Sequence, residues 1–147
     1  CDPDGIFLSN GPGDPEDLPE VIENIKKLIG KKPIFGICLG HQLMALANGA
    51  DTYKMKFGHR GINQPVKYLA TGRIYISAQN HGYAVDEKSL EGKGINISHI
   101  SMNDGTIEGL EYTKHPTFTV QYHPEACPGP GDHDYLFKHF VDMMEGR

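Results

Sequence analysis

Several features that mark other protein classes are missing from this sequence of 147 residues. It has no apolar run as long as a membrane span. It has no block of like charge, and its formal net charge is -5, which argues against a nucleic-acid or membrane-surface partner. Cysteine is scarce, and three residues leave at least one thiol unpaired. This cysteine usage favours a reducing, cytoplasmic setting.

The sequence begins at Cys1 rather than at a methionine and reaches an apolar run within a few residues. We therefore expect it to be a piece of a longer chain. Its length is typical of one domain with a buried core. No internal repeat, low-complexity segment or linker divides it.

Apolar periodicity predicts the order strand, helix, strand, helix in the first third of the chain. The strands are expected at residues 6–9 and 33–37, and the helices at residues 16–30 and 41–47. This alternation predicts an α/β fold with three layers, in which helices flank a mostly parallel sheet. Further short strands, some of them antiparallel, are expected at residues 66–69, 73–76, 83–85, 95–97, 109–112 and 118–120. Residues 136–144 predict a final amphipathic helix.

Cys38 lies where a predicted strand turns into a helix, with Gly36 and Gly40 on either side. Glycines at these spacings let the backbones of a sharp turn approach each other, as in the nucleophile elbow of serine hydrolases. A thiol at a helix N-terminus is also expected to favour the thiolate. Because most cysteines in such places are simply small buried hydrophobes, a catalytic interpretation needs partners elsewhere.

His123 and Glu125 supply those partners. In acyl transfer from an amide, Cys38 would attack the carbonyl and His123 would move the proton. Glu125 would orient the imidazole and stabilise its charged form. A His-Pro-Glu segment alone is often only a loop, so it is the joint occurrence with Cys38 that favours catalysis.

The glycine-rich loop at residues 10–15 follows the first predicted strand. It lacks the Gly-Lys-Ser/Thr ending of a phosphate-binding P-loop, which argues against nucleotide binding. Backbone N–H groups near Gly11 and Gly13, stiffened by Pro12, are candidates to stabilise an oxyanion. The N–H of Leu39, directly after the nucleophile, is the other candidate.

Three segments in this order resemble the class I, triad-type glutamine amidotransferases: residues 10–15, residues 36–42 and residues 121–125. Residues 8–15, 55–61, 79–85 and 124–130 are similar, more narrowly, to the glutaminase domain of carbamoyl phosphate synthetase small chains. The resemblance covers essentially the whole chain. It implies a flavodoxin-like α/β domain spanning residues 1–147, without its first elements and without the N-terminal domain of such small chains.

The resemblance also implies a site and a reaction. The catalytic residues would be Cys38, His123 and Glu125. Glutamine and the oxyanion would be held by Gly11, Gly13, Leu39, Gln42, Asn80, Gly82 and Tyr83. L-glutamine would be hydrolysed to glutamate and ammonia through a cysteinyl thioester. The ammonia would pass to a large synthetase subunit that makes carbamoyl phosphate for pyrimidine and arginine synthesis. No cofactor or metal is expected in this domain, because ATP and magnesium would belong to the partner.

Other interpretations stay open at this point. His81 is expected to be structural or positional more than catalytic, while His59 and Arg60 could line the site or an interdomain surface. A metal on His123 and Cys127 is disfavoured, because Pro124 and Pro128 break the helix that their spacing would need. The alternatives for the whole chain are an anthranilate or aminodeoxychorismate synthase component, a non-catalytic partner-binding domain and a cysteine peptidase.

Overall fold

The computed structural model describes residues 2–11, 13–127 and 131–146. Within them, seven strands form one sheet in the order β1-β2-β7-β6-β5-β3-β4. The strands are β1 (Ile6–Leu8), β2 (Ile34–Ile37), β3 (Thr52–Tyr68), β4 (Ile74–Val85), β5 (Ile95–Ser101), β6 (Ile107–Tyr112) and β7 (Thr117–Val120). The helices are α1 (Pro19–Leu28), α2 (Leu39–Ala47) and α3 (Asp134–Met144). No helix of these residues is long and apolar enough to cross a membrane.

The sheet is mixed. Strands β1, β2 and β7 run parallel, and every other pair of neighbouring strands is antiparallel. The α/β class with additional antiparallel strands is therefore confirmed, but the expectation of a mostly parallel sheet is wrong, because two of the six strand pairs among the described residues are parallel and four are antiparallel. The parallel part carries the predicted nucleophile, because Cys38 follows β2 directly.

Two buried clusters on opposite faces of the sheet account for the three layers. Successive side chains of a strand point to opposite faces, and in β2 the fully buried Ile34 and Phe35 belong to different clusters. Helices α1 and α2 pack with Ile34, through side chains such as Ile25 and Met44. Helix α3 covers the other face, where Leu136 packs in the cluster of Phe35.

Strands β3 and β4 differ most from the prediction. The short runs expected at residues 66–69, 73–76 and 83–85 are parts of a long two-stranded ribbon. The outer part of the ribbon, which comprises β3 before residue 66 and the β4 residues paired with it, contains charged residues and glycines and is interrupted by register shifts. It therefore has no clean alternation of apolar and polar side chains. Strand β4 is an edge of the sheet, and β3 pairs with β5 only through residues 66–68.

The first helix also begins later than predicted. Residues 15–17 form a separate 3-10 turn, in which the Asp14 carboxylate accepts a hydrogen bond of 2.9 Å from the N–H of Glu16. Helix α1 then starts at Pro19, whose fixed φ and missing N–H suit the first helical position. The turn stands between the glycine-rich loop and α1.

Candidate active site

Cys38 has an unusual backbone conformation. Among the described residues it is the one non-glycine residue with positive φ, at φ 55° and ψ -105°. Its N–H donates a 2.9 Å hydrogen bond to the Val120 carbonyl, which ties the turn to β7. A residue held in such a conformation costs about 1–3 kcal/mol and is typical of functional sites.

The glycines on either side make this turn possible. A methyl group at Gly36 would lie 3.0 Å from the carbonyl carbon and oxygen of Gly40. A methyl group at Gly40 would collide with the backbone of Leu8 in β1. Both positions are therefore points of close backbone approach, as the elbow interpretation of the sequence requires.

The turn opens into a cavity of about 650 Å³, a size typical of small-molecule sites. The cavity is lined by Asn10, Gly11, Gly13, Cys38, Leu39, Gln42, Lys54, Arg60, Asn80, His81, Gly82, Tyr83 and His123. The structure thus brings together every glutamine-contact residue expected from the resemblance. Asn10 and Lys54 are additional lining residues that the sequence interpretation did not include.

His123 and Glu125 follow the end of β7 by three and five residues. The imidazole Nδ1 donates a 3.0 Å hydrogen bond to Glu125 Oε1. The backbone N–H of His123 donates to the Ala78 carbonyl at 2.9 Å, which fixes the residue against β4. His123 lines the same cavity as Cys38, while Glu125 stands behind the imidazole and is half exposed.

The Cys38 thiol is deeply buried, and burial raises its pKa to about 11. Hydrogen bonds from the Leu39 N–H and from Gln121 oppose the rise, and the charges of Glu125 and Glu108 add to it. Desolvation therefore outweighs the effect of the helix N-terminus, which was expected to favour the thiolate. At neutral pH the thiol keeps its proton until a base removes it.

Gln121 is a site residue that the sequence interpretation missed. It is fully buried, and its Nε2 lies 3.8 Å from Cys38 Sγ. Its Oε1 accepts a 3.0 Å hydrogen bond from Gln42 Nε2. A signal was present, since residues two apart on an extended segment share a face, which places Gln121 on the side of His123.

Gln42 is held from two sides. Its Nε2 donates to the Tyr83 carbonyl at 2.8 Å as well as to Gln121 Oε1. Both amide protons are therefore used within the protein, and the Oε1 atom is left to meet a ligand. In this arrangement the side chain can accept a hydrogen bond from an ammonium group.

Residues 1–143 match the family glutamine amidotransferase class-I. The chain belongs to the class I glutamine amidotransferase family. It is 63% identical over 145 residues to a carbamoyl phosphate synthase small chain from Listeria monocytogenes, covering 99% of this chain but 40% of that protein. The chain thus spans less than half the length of this curated relative.

Solved structures show the same fold for this amidotransferase. The glutaminase domain of a Trypanosoma brucei CTPS with bound acivicin superposes with a TM-score of 0.73 at 17% identity, covering 98% of this chain and 72% of the other. A glutamine amidotransferase from Thermotoga maritima gives 0.61 at 21% identity, covering 95% and 62%. The chain therefore shares its fold with these structures.

The residues left open by the sequence are now placed in the amidotransferase fold. Arg60 lines the cavity and donates from Nη1 to the Phe57 carbonyl at 2.8 Å. His81 lines it too, with its pKa lowered to about 4 by burial, so the ring is neutral. His59 does not line the cavity and is buried behind His81, with the two ring centroids 5.1 Å apart.

Cys127 does not face the imidazole of His123. Its Sγ donates to the His123 carbonyl at 3.0 Å and accepts from the Ala78 N–H at 3.3 Å. The expected stiffening of the loop by Pro12 and the helix break at Pro128 fall outside the described residues and stay predictions.

Proposed function

We propose that this amidotransferase hydrolyses L-glutamine to glutamate and ammonia through a Cys38 thioester and supplies the ammonia for carbamoyl phosphate synthesis. The observation that supports the proposal most is the sharing of one cavity by a strained cysteine elbow and a His–Glu pair. A structural cysteine would need neither the strain nor the pair.

The reaction begins with the transfer of the Cys38 proton to His123. The raised thiol pKa means that this transfer is coupled to attack on the glutamine side-chain carbonyl, since a free thiolate is disfavoured. Glu125 accepts a hydrogen bond from Nδ1–H of the ring and so orients the imidazole and stabilises the imidazolium. The new bond joins Sγ to the amide carbon.

The carbonyl oxygen becomes an oxyanion as this bond forms. The N–H of Leu39 lies in the first turn of α2, where helix N–H groups have no partner within the helix. The backbone at Gly11 and Gly13 lines the other side of the cavity. Backbone donors already in place need no reorganisation, and one such donor contributes about 3–4 kcal/mol to the barrier reduction.

Collapse of the tetrahedral intermediate breaks the carbon–nitrogen bond. The His123 imidazolium gives its proton to the departing nitrogen, which leaves as ammonia. Water then attacks the thioester and gives one proton to His123. When the second intermediate collapses, that proton returns to sulfur, glutamate is released and the free Cys38 thiol is restored.

The remaining lining residues can bind the ammonium and α-carboxylate groups of glutamine. Gln42 Oε1 can accept from the ligand ammonium, and Asn80 can donate or accept. Lys54 and Arg60 supply the cationic groups of the lining, which suits the ligand α-carboxylate. The cavity therefore matches a zwitterion with a terminal amide.

The partner would be a large synthetase chain that uses bicarbonate, ATP and magnesium to make carbamoyl phosphate for pyrimidine and arginine synthesis. No cofactor is needed in the glutaminase domain itself, because its own side chains supply each proton transfer. The identity to carbamoyl phosphate synthase small chains favours this partner over an anthranilate or aminodeoxychorismate synthase. In the described part of the chain, the free thiols of Cys38 and Cys127 support a cytoplasmic location.

Glutamate release from L-glutamine by the full-length protein tests the proposal. Cys38→Ser is expected to lower kcat by at least about a thousandfold while leaving the thermal unfolding midpoint within a few degrees. Cys127→Ser is the matched control, since a hydroxyl can keep both backbone hydrogen bonds, and it should retain most of the activity. Turnover that persists in Cys38→Ser would refute the mechanism.

A second experiment tests which synthetase chain the protein supplies with ammonia. Adding the large synthetase chain with bicarbonate and ATP should yield carbamoyl phosphate from glutamine, and the Cys38→Ser protein should yield it only from added ammonia. Product formation with an anthranilate synthase partner instead would reassign the chain. Partner binding without glutamine turnover by the unaltered protein would support the non-catalytic alternative.

A further inference from the structure

The wall of the cavity formed by Asn80–Tyr83 belongs to the outer part of the β3–β4 ribbon. Among the residues that the structure describes, this part has no neighbouring strand on its β3 side, because β3 pairs with β5 only through residues 66–68. Strand β4 is the sheet edge, so it has no strand neighbour on its other side. Apart from the hydrogen bond from the His123 N–H to the Ala78 carbonyl, backbone pairing holds this wall only within the β3–β4 ribbon.

A cluster of ionisable side chains ties the ribbon to the β5–β6 hairpin at this place. His59 of β3 lies between two carboxylates, with Nε2 2.7 Å from Asp104 Oδ2 and Nδ1 3.2 Å from Glu108 Oε1. Glu108 of β6 is 0% exposed. Its backbone carbonyl accepts a 2.8 Å hydrogen bond from the N–H of Gln121, the residue that contacts Cys38.

A chain of close polar contacts runs from this cluster into the cavity wall. Gln79 Oε1 lies 3.0 Å from His59 Nδ1 and 2.9 Å from His81 Nε2. The other ring nitrogen of His81 lies 2.8 Å from the Tyr83 carbonyl. That carbonyl also accepts from Gln42, so the chain ends at a proposed glutamine ligand.

The side chains of His59, His81 and Glu108 also lie close enough to surround one metal ion, with their ligand atoms all within 4.8 Å. However, both ring nitrogens of His59 face oxygen acceptors. The two carboxylates raise its pKa to about 9, so both nitrogens carry protons at neutral pH and neither offers a lone pair. Desolvation raises the pKa of Glu108 to about 7 while the adjacent His59 opposes the rise, so the cluster is a partly charged polar network.

We propose that His59 and Glu108 are positioning residues that hold the Asn80–Tyr83 wall in place and thereby set the affinity for glutamine. The inference rests on the proposed function, because it concerns the ligand of the same cavity. Buried ion pairs add little net stability compared with apolar packing, and their best-attested use is to fix geometry. Neither residue touches the reacting atoms, so the chemical step stays with Cys38 and His123.

The test uses the full-length protein and two readouts, steady-state glutaminase kinetics and calorimetric binding of L-glutamine in a Cys38→Ala background. Glu108→Gln keeps the shape of the side chain and removes its charge, and His59→Gln removes the charge on the other side. Each is expected to raise KM and Kd about tenfold while kcat at saturating glutamine changes less than threefold. Glu108→Asp, which keeps the charge, should recover part of the affinity.

A double variant and a control variant distinguish a positioning role from general destabilisation of the fold. The double variant of His59 and Glu108 should have a KM no higher than the worse single variant, since both act through one network. His99→Gln removes another buried histidine, which contacts Ser98 and Tyr135 rather than the cavity. It should lower the unfolding midpoint without changing KM.

Folded Glu108→Gln and His59→Gln proteins that bind glutamine within twofold of the unaltered chain would overturn the proposal. So would a loss of kcat with KM unchanged, or one equivalent of zinc in the purified protein. If Glu108→Gln does not fold, His59→Gln and Glu108→Asp carry the same comparison. A native chain that neither binds nor hydrolyses glutamine would overturn the proposed function together with this inference.

Discussion

Replacing Gly40 by alanine tests whether the close approach of α2 to β1 sets the position of the nucleophile. A methyl group at this position would lie 2.7 Å from the Leu8 Cβ and 2.8 Å from its carbonyl carbon, where 3.4 Å or more is ordinary. These atoms belong to the backbone or are fixed to it and cannot rotate away. Helix α2 must therefore move away from β1 by several tenths of an ångström.

Two consequences of this movement can be measured. Overpacking in a close-packed interior costs about 1–3 kcal/mol, and the upper end applies where backbone must move. We expect a loss of about 3 kcal/mol in unfolding free energy, or roughly 6–12 °C in Tm. Because α2 begins directly after Cys38, we also expect kcat to fall at least about tenfold, since a displacement of 1 Å near a reacting group costs about a hundredfold.

Gly92→Ala is the matched control. Gly92 has φ +74° and nothing within 4 Å of the added methyl group, so the substitution imposes backbone strain without a clash. It should cost about 1–2 kcal/mol and leave kcat unchanged. If Gly40→Ala costs no more than Gly92→Ala, or if its kcat is that of the unaltered protein, the close approach does not position the nucleophile.

Three further predictions use the same protein. Gln121→Met removes the donor near Cys38 Sγ and an acceptor of Gln42, so kcat/KM for glutamine should fall about tenfold; an unchanged value would contradict a role for this contact. Alkylation of Cys38 by iodoacetamide should accelerate up to a pH of about 11, and a rate already constant above pH 8 would refute the raised pKa. The third concerns stability. The pKa of Asp104 is lowered to about 2, and that of His59 is raised to about 9 from 6.5. Thermal melts should show stability lost as pH falls from about 4 to 2 and as pH rises from 6.5 to 9, and a flat profile would contradict both.

The sequence predicted the parts of the site that depend on local signals. The elbow follows from two glycines around Cys38 and from an apolar strand before it, all within a few residues. The amphipathic spacing of α1 and α3 is also local, so both helices were predicted within a few residues of their ends. These patterns are visible because the chain must satisfy its backbone and bury an apolar face segment by segment.

The sequence did not predict what arises between distant segments. Gln121 meets Gln42 and Cys38 only because β7 lies beside β2 in the sheet. The contact of His59 with Glu108 joins β3 to β6, which are not neighbouring strands. In the sequence pattern, polar residues of this kind cannot be distinguished from surface residues. Their burial depends on which strands lie beside one another in the sheet.

The two halves of the sheet contribute different parts of the site. The parallel strands β2 and β7 hold the cysteine elbow and lead to the His–Glu pair. The N–H of Cys38 donates a hydrogen bond to the Val120 carbonyl. The antiparallel ribbon holds Asn80–Tyr83, and its outer part is fixed by side chains rather than by a neighbouring strand. Substitutions in the parallel half should therefore act on kcat, and those in the ribbon on KM. This separation predicts that the Gly40→Ala and Glu108→Gln effects add when combined, because the two residues act on different steps through different contacts.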